Sequence, residues 1–234
     1  MPTPVNEHDP RIEALPAAEI RRRFLEFFAE RGHTVVASAS LVPAGDATLL
    51  FTNSGMVQFK EVLTGSETRS YKRAADYQRV LRVAGKHNDF EEVGRTTRHN
   101  TFFEMLGNWS FGDYFKRDAI HYAWDFLTRD MGIPGERLAA TTYKDDEVAR
   151  QVWREEIGLT PDRMAIWGDV DAGDDNNFWR MADATTVCPR SAKNSRNRRR
   201  ISAAGSASIR GSCSLTGVGI GRNGTERAIY GPGH

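Results

Sequence analysis

Arg82 and Lys86 stand four residues apart in the stretch "RVAGKHNDFEEVGRTTRHNTFFEMLGN", which runs from Arg82 to Asn108. A guanidinium can grip phosphate oxygens as a bidentate fork and an ammonium can meet them as a point charge, so the pair is suited to a polyphosphate. Around them, Val83 to Asn100 is a polar connection of eighteen residues. It holds Arg95 and Arg98 besides Lys86, two histidines (His87 and His99) and three acids (Asp89, Glu91 and Glu92), with no aliphatic run. A connection this long exceeds usual hairpin lengths, and long ordered loops are generally functional or disordered. Such a loop can fold over a nucleotide. A solvated hairpin loop with internal ion pairs accounts for the same charges.

The elements that must position these cations are two strands, "YQRVLRV" (Tyr77 to Val83) and "TFFEMLGN" (Thr101 to Asn108), which fix the ends of the loop. Ahead of them, "PAAEIRRRFLEFFAERGH" places Ile20, Phe24, Phe27 and Phe28 on one helical face, with Gly32 as the stop. "TVVAS" (Thr34 to Ser38) and "TLLFTN" (Thr48 to Asn53) read as short strands separated by the turn residues Pro43 and Gly45, and "GMVQFKEVL" reads as a short helix. After the hairpin, the apolar spacing of Tyr114, Ile120, Ala123, Trp124 and Leu127 predicts a helix over Tyr114 to Met131. "LAATTY" and "RMAIWG" then flank a further helix over Asp145 to Ile157. There is no internal repeat.

Composition sets the bounds. The chain has 234 residues, 27% charged and 39% hydrophobic, with a net charge of +1, which suits one or two soluble domains with a substantial core. Nothing approaches a membrane-spanning run, and the N-terminus has early acids and no apolar signal core, so a cytoplasmic location is expected. Cys188 and Cys213 lack zinc spacing, and no metal site is expected. The charge breaks sharply at Ala184. From there to the end stand nine Lys/Arg and one acid, against 23 and 30 before it, so the two parts carry about −7 and +8. All five tryptophans and twelve phenylalanines precede the break. Residues 1–17 are therefore expected to be flexible, 18–183 to form the folded part, and 184–234 to be a basic Ser/Gly/Arg-rich tail without stable structure.

Two longer stretches carry a resemblance. "ASASLVPAGDATLLFTNSGMVQFKEVLTG", followed by "LRVAGKHNDFEEVGRTTRHNTFFEMLGNWSFGDYFKRDAI", closely resembles the start of the alanyl-tRNA synthetases, which are class II aminoacyl-tRNA synthetases. It covers roughly Ala18 to Asp183, and the pairing of "GKHND" with "FFEMLGN" at this spacing is highly specific. The resemblance implies an α+β fold: an antiparallel sheet flanked by helices, here incomplete on its C-terminal side. It implies ATP-dependent activation of alanine and transfer to tRNA(Ala), with Mg2+ accompanying the nucleotide.

By the same resemblance the hairpin corresponds to the family's motif 2. Arg82 would contact the ATP α-phosphate, and Lys86 would act with it in catalysis. Lys86, His87, Asn88 and Asp89 would belong to the loop that closes over the phosphates and the acceptor end. The strand Phe102 to Met105 would border the adenine, with the backbone near Met105 reading its edge, and Trp179 would line the pocket for alanine. The neutral expectations are a strand salt bridge for Arg82 and plain core packing for Phe102 and Met105.

After Asp183 the resemblance fails. The family continues with a segment of the type "TGPCGPC", whereas here the text reads "ATTVCPRSAKNSRNRRR", as if translated in a shifted frame. The family's motif 3 arginine, the magnesium-holding carboxylates, the tRNA-recognition helices and the zinc-bearing editing domain would lie beyond this point, so no ligands for Mg2+ or zinc are expected in this chain. The expectation is an alanine-tRNA ligase by descent, inactive as a 234-residue fragment. The alternative is a non-catalytic nucleotide- or RNA-binding module using the hairpin and the basic tail. The oligomeric state stays open.

Overall fold

In a computed structural model of the chain, the structure describes residues 15–43, 49–82, 93–95, 100–169, 172–173 and 177. Most of the segment expected to be flexible, 1–17, and all of the tail 184–234 lie outside the described residues.

Helix α1 (Ala17–Ala29) forms where the apolar spacing predicts it and buries Phe24, Phe27 and Phe28. Gly32, at φ 78°, turns the chain back so that the His33 N–H reaches Phe28 O, a conformation that costs glycine no Cβ clash. Strand β1 (Thr34–Val36) follows, then a 3-10 turn (Val57–Phe59) that runs into the short helix α2 (Lys60–Thr64). Strands β2 (Arg73–Leu81) and β3 (Phe102–Ser110) form the long hairpin. Helix α3 (Lys116–Asp125) ends in a π-helical turn (Phe126–Asp130). A second unit of β4 (Ala140–Thr142), α4 (Glu147–Gln151) with its own π-helical turn (Val152–Glu156), and β5 (Met164–Ile166) completes the described chain.

The main sheet has the order β1-β2-β3, and a separate pair joins β4 to β5. The hairpin is antiparallel as expected, while β1 lies parallel to β2 with Thr34 opposite Ala74. The sheet is therefore mixed. On one side, Phe24, Phe27 and Phe28 pack with Ala75, Phe126 and Leu127. Phe24 and Phe126 meet edge-to-face at 5.3 Å, the favoured arrangement of ring quadrupoles. On the other side, Phe59 and Leu63 pack on Ala74 and Trp109.

Three sequence expectations shift. The strand expected over Thr48 to Asn53 is not one across residues 49–53: Thr52 instead crosses the end of the ladder, donating to Leu41 O at 2.8 Å and accepting from Leu81 N at 3.0 Å. β1 stops at Val36 because the next ladder positions are taken by side chains, with Arg79 N donating to Ser38 Oγ and Ala39 N donating to Gln78 Oε1. β2 starts four residues before Tyr77, since Arg73 to Asp76 pair with Gly107 to Ser110. Among the described residues, no helix is long and apolar enough to cross a membrane.

Candidate functional site

Strand alternation gives the β2–β3 hairpin two chemically distinct faces. Ala74, Asp76, Gln78 and Val80 stand opposite Trp109, Gly107, Met105 and Phe103, and share one face with them. The other face carries Ala75, Tyr77 and Leu81 with Asn108, Leu106, Glu104 and Phe102. Helix α1 covers this second face. Arg21 donates to both carboxylate oxygens of Glu104, at 2.8 and 2.9 Å, while its guanidinium lies 5.0 Å from the centre of the Tyr77 ring. That bidentate clamp fixes α1 on the second face, while the first face is covered by Phe59, Leu63 and the Gly55 segment.

Arg82 extends the hairpin one step past the Leu81–Phe102 pair, its N–H donating to Thr101 O at 2.8 Å. Continued alternation puts the half-buried Arg82 on the face of Gln78, Val80 and Met105. Met105 is buried, and its Sδ accepts the Gly55 N–H at 3.4 Å. Phe102 falls on the opposite face, 55% exposed. Of the aromatic pair, Phe103 shares the side of Met105 and Arg82. The expected bordering strand Phe102 to Met105 spans it without naming it, and the period-two rule applied to Met105 picks it out. Lys86, His87, Asn88, Asp89 and Trp179 lie outside the described residues.

Behind Met105 the first face is built around a buried carboxylate. Asp76 is fully buried and accepts at both oxygens, from Trp109 Nε1 at 2.9 Å and from Gln58 Nε2 at 2.8 Å. Burial pushes its pKa up to about 7, with the hydrogen bonds from Trp109 and Gln58 opposing the rise. Gln78, also fully buried, clasps the backbone of Ala39: its Oε1 accepts from Ala39 N at 2.9 Å and its Nε2 donates to Ala39 O at 3.1 Å. Gln58 Nε2 joins the two residues, reaching Gln78 Oε1 at 3.2 Å. Gly107 makes room for the carboxylate, because a Cβ there would stand 2.5 Å from Asp76 Oδ1. Among the described residues, no group of three His, Cys, Asp or Glu side chains could hold a metal ion.

The protein-family model for class II tRNA synthetases (A) matches residues 19–203. The chain belongs to this family. Its match to the class II synthetase model runs past the composition break at Ala184. Curated relatives agree. The alanine-tRNA ligase of Herminiimonas arsenicoxydans is 55% identical over 75% of this chain and 20% of its own length. That of Paracidovorax citrulli is 57% identical over 74% of this chain and 18% of its length, and that of Legionella pneumophila 57% over 75% and 20%. This class II synthetase chain thus spans about a fifth of the length of those relatives. Among solved structures, an aspartyl tRNA synthetase from Entamoeba histolytica is similar at 14% identity and a TM-score of 0.35, covering 61% of this chain and 29% of that one.

Proposed function

We propose that this chain carries the ATP side of an alanine-tRNA ligase site, with Arg82 as the residue that meets the α-phosphate. The observation that supports it most is the hairpin register, which brings Arg82, Met105 and Phe103 to one face while α1 occupies the other. In the reaction, an alanine carboxylate oxygen bonds to the α-phosphorus as the bond to pyrophosphate breaks, and charge builds on the phosphate oxygens. A fixed guanidinium stabilises that charge more in the transition state than in the ground state. The half-buried Phe103 offers an apolar edge for the base, with the backbone near Met105 beside it. By the family resemblance, Lys86, His87, Asn88 and Asp89 are assigned to the phosphates and Trp179 to the alanine. Magnesium would travel with the nucleotide. The acceptor is tRNA(Ala).

The test is direct binding of Mg·ATP to the full chain by equilibrium dialysis. Arg82→Ala should weaken binding by about 1.5 to 3 kcal/mol, the scale of a hydrogen bond to a charged group. Unchanged affinity in Arg82→Ala overturns the phosphate assignment. Alanine-dependent exchange of pyrophosphate into ATP tests the reaction itself.

A further inference from the structure

The hydrogen bonds around Asp76 form a directed chain whose two ends cannot be reversed. At one end the Trp109 indole N–H can only donate, and it does so to Asp76 Oδ1 at 2.9 Å. At the other end the Ala39 N–H and C=O dictate the orientation of the Gln78 amide, whose Oε1 accepts from Ala39 N and whose Nε2 donates to Ala39 O and Arg79 O. With Gln78 Oε1 fixed, Gln58 must present Nε2 to it, and the same nitrogen donates to Asp76 Oδ2. The residue at position 76 must therefore accept at both of its oxygens. A carboxylate can do this, and an amide cannot.

What the chain holds is the backbone beside the candidate nucleotide face. Ala39 belongs to segment 37–43 and Gln58 to segment 49–59, and both segments approach β2 and β3 on the side of Met105. Gly55 lies over that face, where an added Cβ would stand 3.7 Å from Gln78 Cβ and 3.8 Å from Met105 Cβ. Thr52 O accepts Leu81 N, next to Arg82. Among the described residues, Asp76 faces the Trp109 indole, the Gln58 amide and Gly107, and no charged side chain.

We propose that Asp76 is a positioning residue: by accepting at both carboxylate oxygens it sets the direction of the chain from Trp109 to Ala39, and so holds segments 37–43 and 49–59 as a wall of the nucleotide site. This rests on the nucleotide reading given above. Asp76→Asn changes one atom and should break the wall. If the substituted amide turns its oxygen to Trp109, its nitrogen opposes Gln58 Nε2, and flipping Gln58 then sets its oxygen against Gln78 Oε1. Removing the indole donor frees that amide to turn its oxygen to Gln58, so Trp109→Phe combined with Asp76→Asn should repair the arm to Ala39.

The experiment measures Mg·ATP affinity and the exchange rate of the Ala39 amide in the full chain for Asp76→Asn, Trp109→Phe, the double variant and Arg82→Ala, at about pH 8, where the Asp76 carboxyl is mostly ionised. Expected are an affinity about five- to tenfold weaker in Asp76→Asn, the scale of one net hydrogen bond, and faster Ala39 exchange. Both should return towards the unaltered chain in the double variant. A merely structural role would make the double variant worse than either single change. Unchanged affinity in Asp76→Asn, or no recovery in the double variant, overturns the proposal. If Asp76→Asn fails to fold, Gln58→Met cuts the same chain at a half-buried member and must weaken affinity likewise. Arg82→Ala separates the two ideas. Normal binding there with weakened binding in Asp76→Asn sinks the phosphate assignment and supports the role of Asp76, and the reverse pattern sinks the role of Asp76 alone.

Discussion

The Tyr114 hydroxyl donates to His33 Nε2 at 2.7 Å inside the core, while His33 Nδ1–H donates to Phe28 O at 3.0 Å. Asn108 Nδ2 donates in turn to the Tyr114 oxygen at 2.9 Å. This series ties the end of α1 to β3 and to the entry of α3, and it holds His33 neutral in one tautomer. Burial pushes the His33 pKa down to about 4.

Tyr114→Phe removes the donor to His33 Nε2 and the acceptor of Asn108 Nδ2 while keeping the ring contacts with His33 and Tyr122. Leaving buried polar groups without these partners should destabilise the chain by about 2 kcal/mol or more. Urea unfolding checks this. A midpoint equal to that of the unaltered chain would show that the series carries no net stability.

The two buried titratable groups act in opposite directions with pH. His33 has an ordinary pKa of 6.5 and about 4 in the fold, so below 6.5 the unfolded chain takes up a proton that the folded chain does not. Its contribution is present above that pH and is lost as pH falls to about 4. Asp76 has an ordinary pKa of 3.8 and about 7 in the fold, so between those values the folded chain keeps a proton that the unfolded chain has released. Its contribution is present at low pH and is lost as pH rises through that window. Asp76→Asn should therefore make stability rise more steeply between about pH 4.5 and 6.5, by about 1.4 kcal/mol per pH unit. Urea midpoints at several pH values measure it, and identical slopes would show that Asp76 stays ionised.

Gly107→Ala should be costly and Gly55→Ala mild. A Cβ on Gly107 would meet Asp76 Oδ1 at 2.5 Å and Trp109 Nε1 at 2.8 Å, whereas on Gly55 its nearest neighbour is Trp109 Cζ2 at 3.4 Å. The expected difference in stability is about 1 to 3 kcal/mol, the usual cost of overpacking. Thermal unfolding of the two variants side by side decides it.

Lys116→Met should destabilise the junction of the two sheet units. Lys116 Nζ lies 2.7 Å from Asp146 Oδ1, the pair being almost buried at 11% and 2% exposure, and the same oxygen caps α4 by accepting Ala149 N. Removing the cation breaks a buried ion pair, at a cost of up to about 3 to 5 kcal/mol. The double change Lys116→Met with Asp146→Leu should recover part of that loss in the same unfolding measurement.

Much of the architecture follows from local rules. The 3.6-residue spacing of Ile20, Phe24, Phe27 and Phe28 set α1, the period-two segments set the hairpin, and Gly32 ended the first helix, because each depends on neighbours within a few residues along the chain. The wording around "GKHND" and "FFEMLGN" was enough to place the chain in its family. What sequence alone could not decide is which residues share a side and which polar groups find each other. The 49–53 segment looked like a strand by composition, but Thr52 was claimed by Leu41 and Leu81 across the ladder end. Phe102 and Phe103 are equivalent by residue type, and only the register opposite Leu81 and Val80 separates them. Asp76 carries no sequence signal, since an acid in a strand reads as a solvated face until Trp109, Gln58 and Gly107 close around it. Those partners come from distant parts of the chain, and only tertiary packing, which excludes water from the carboxylate and leaves these groups to satisfy it, makes it a buried acceptor.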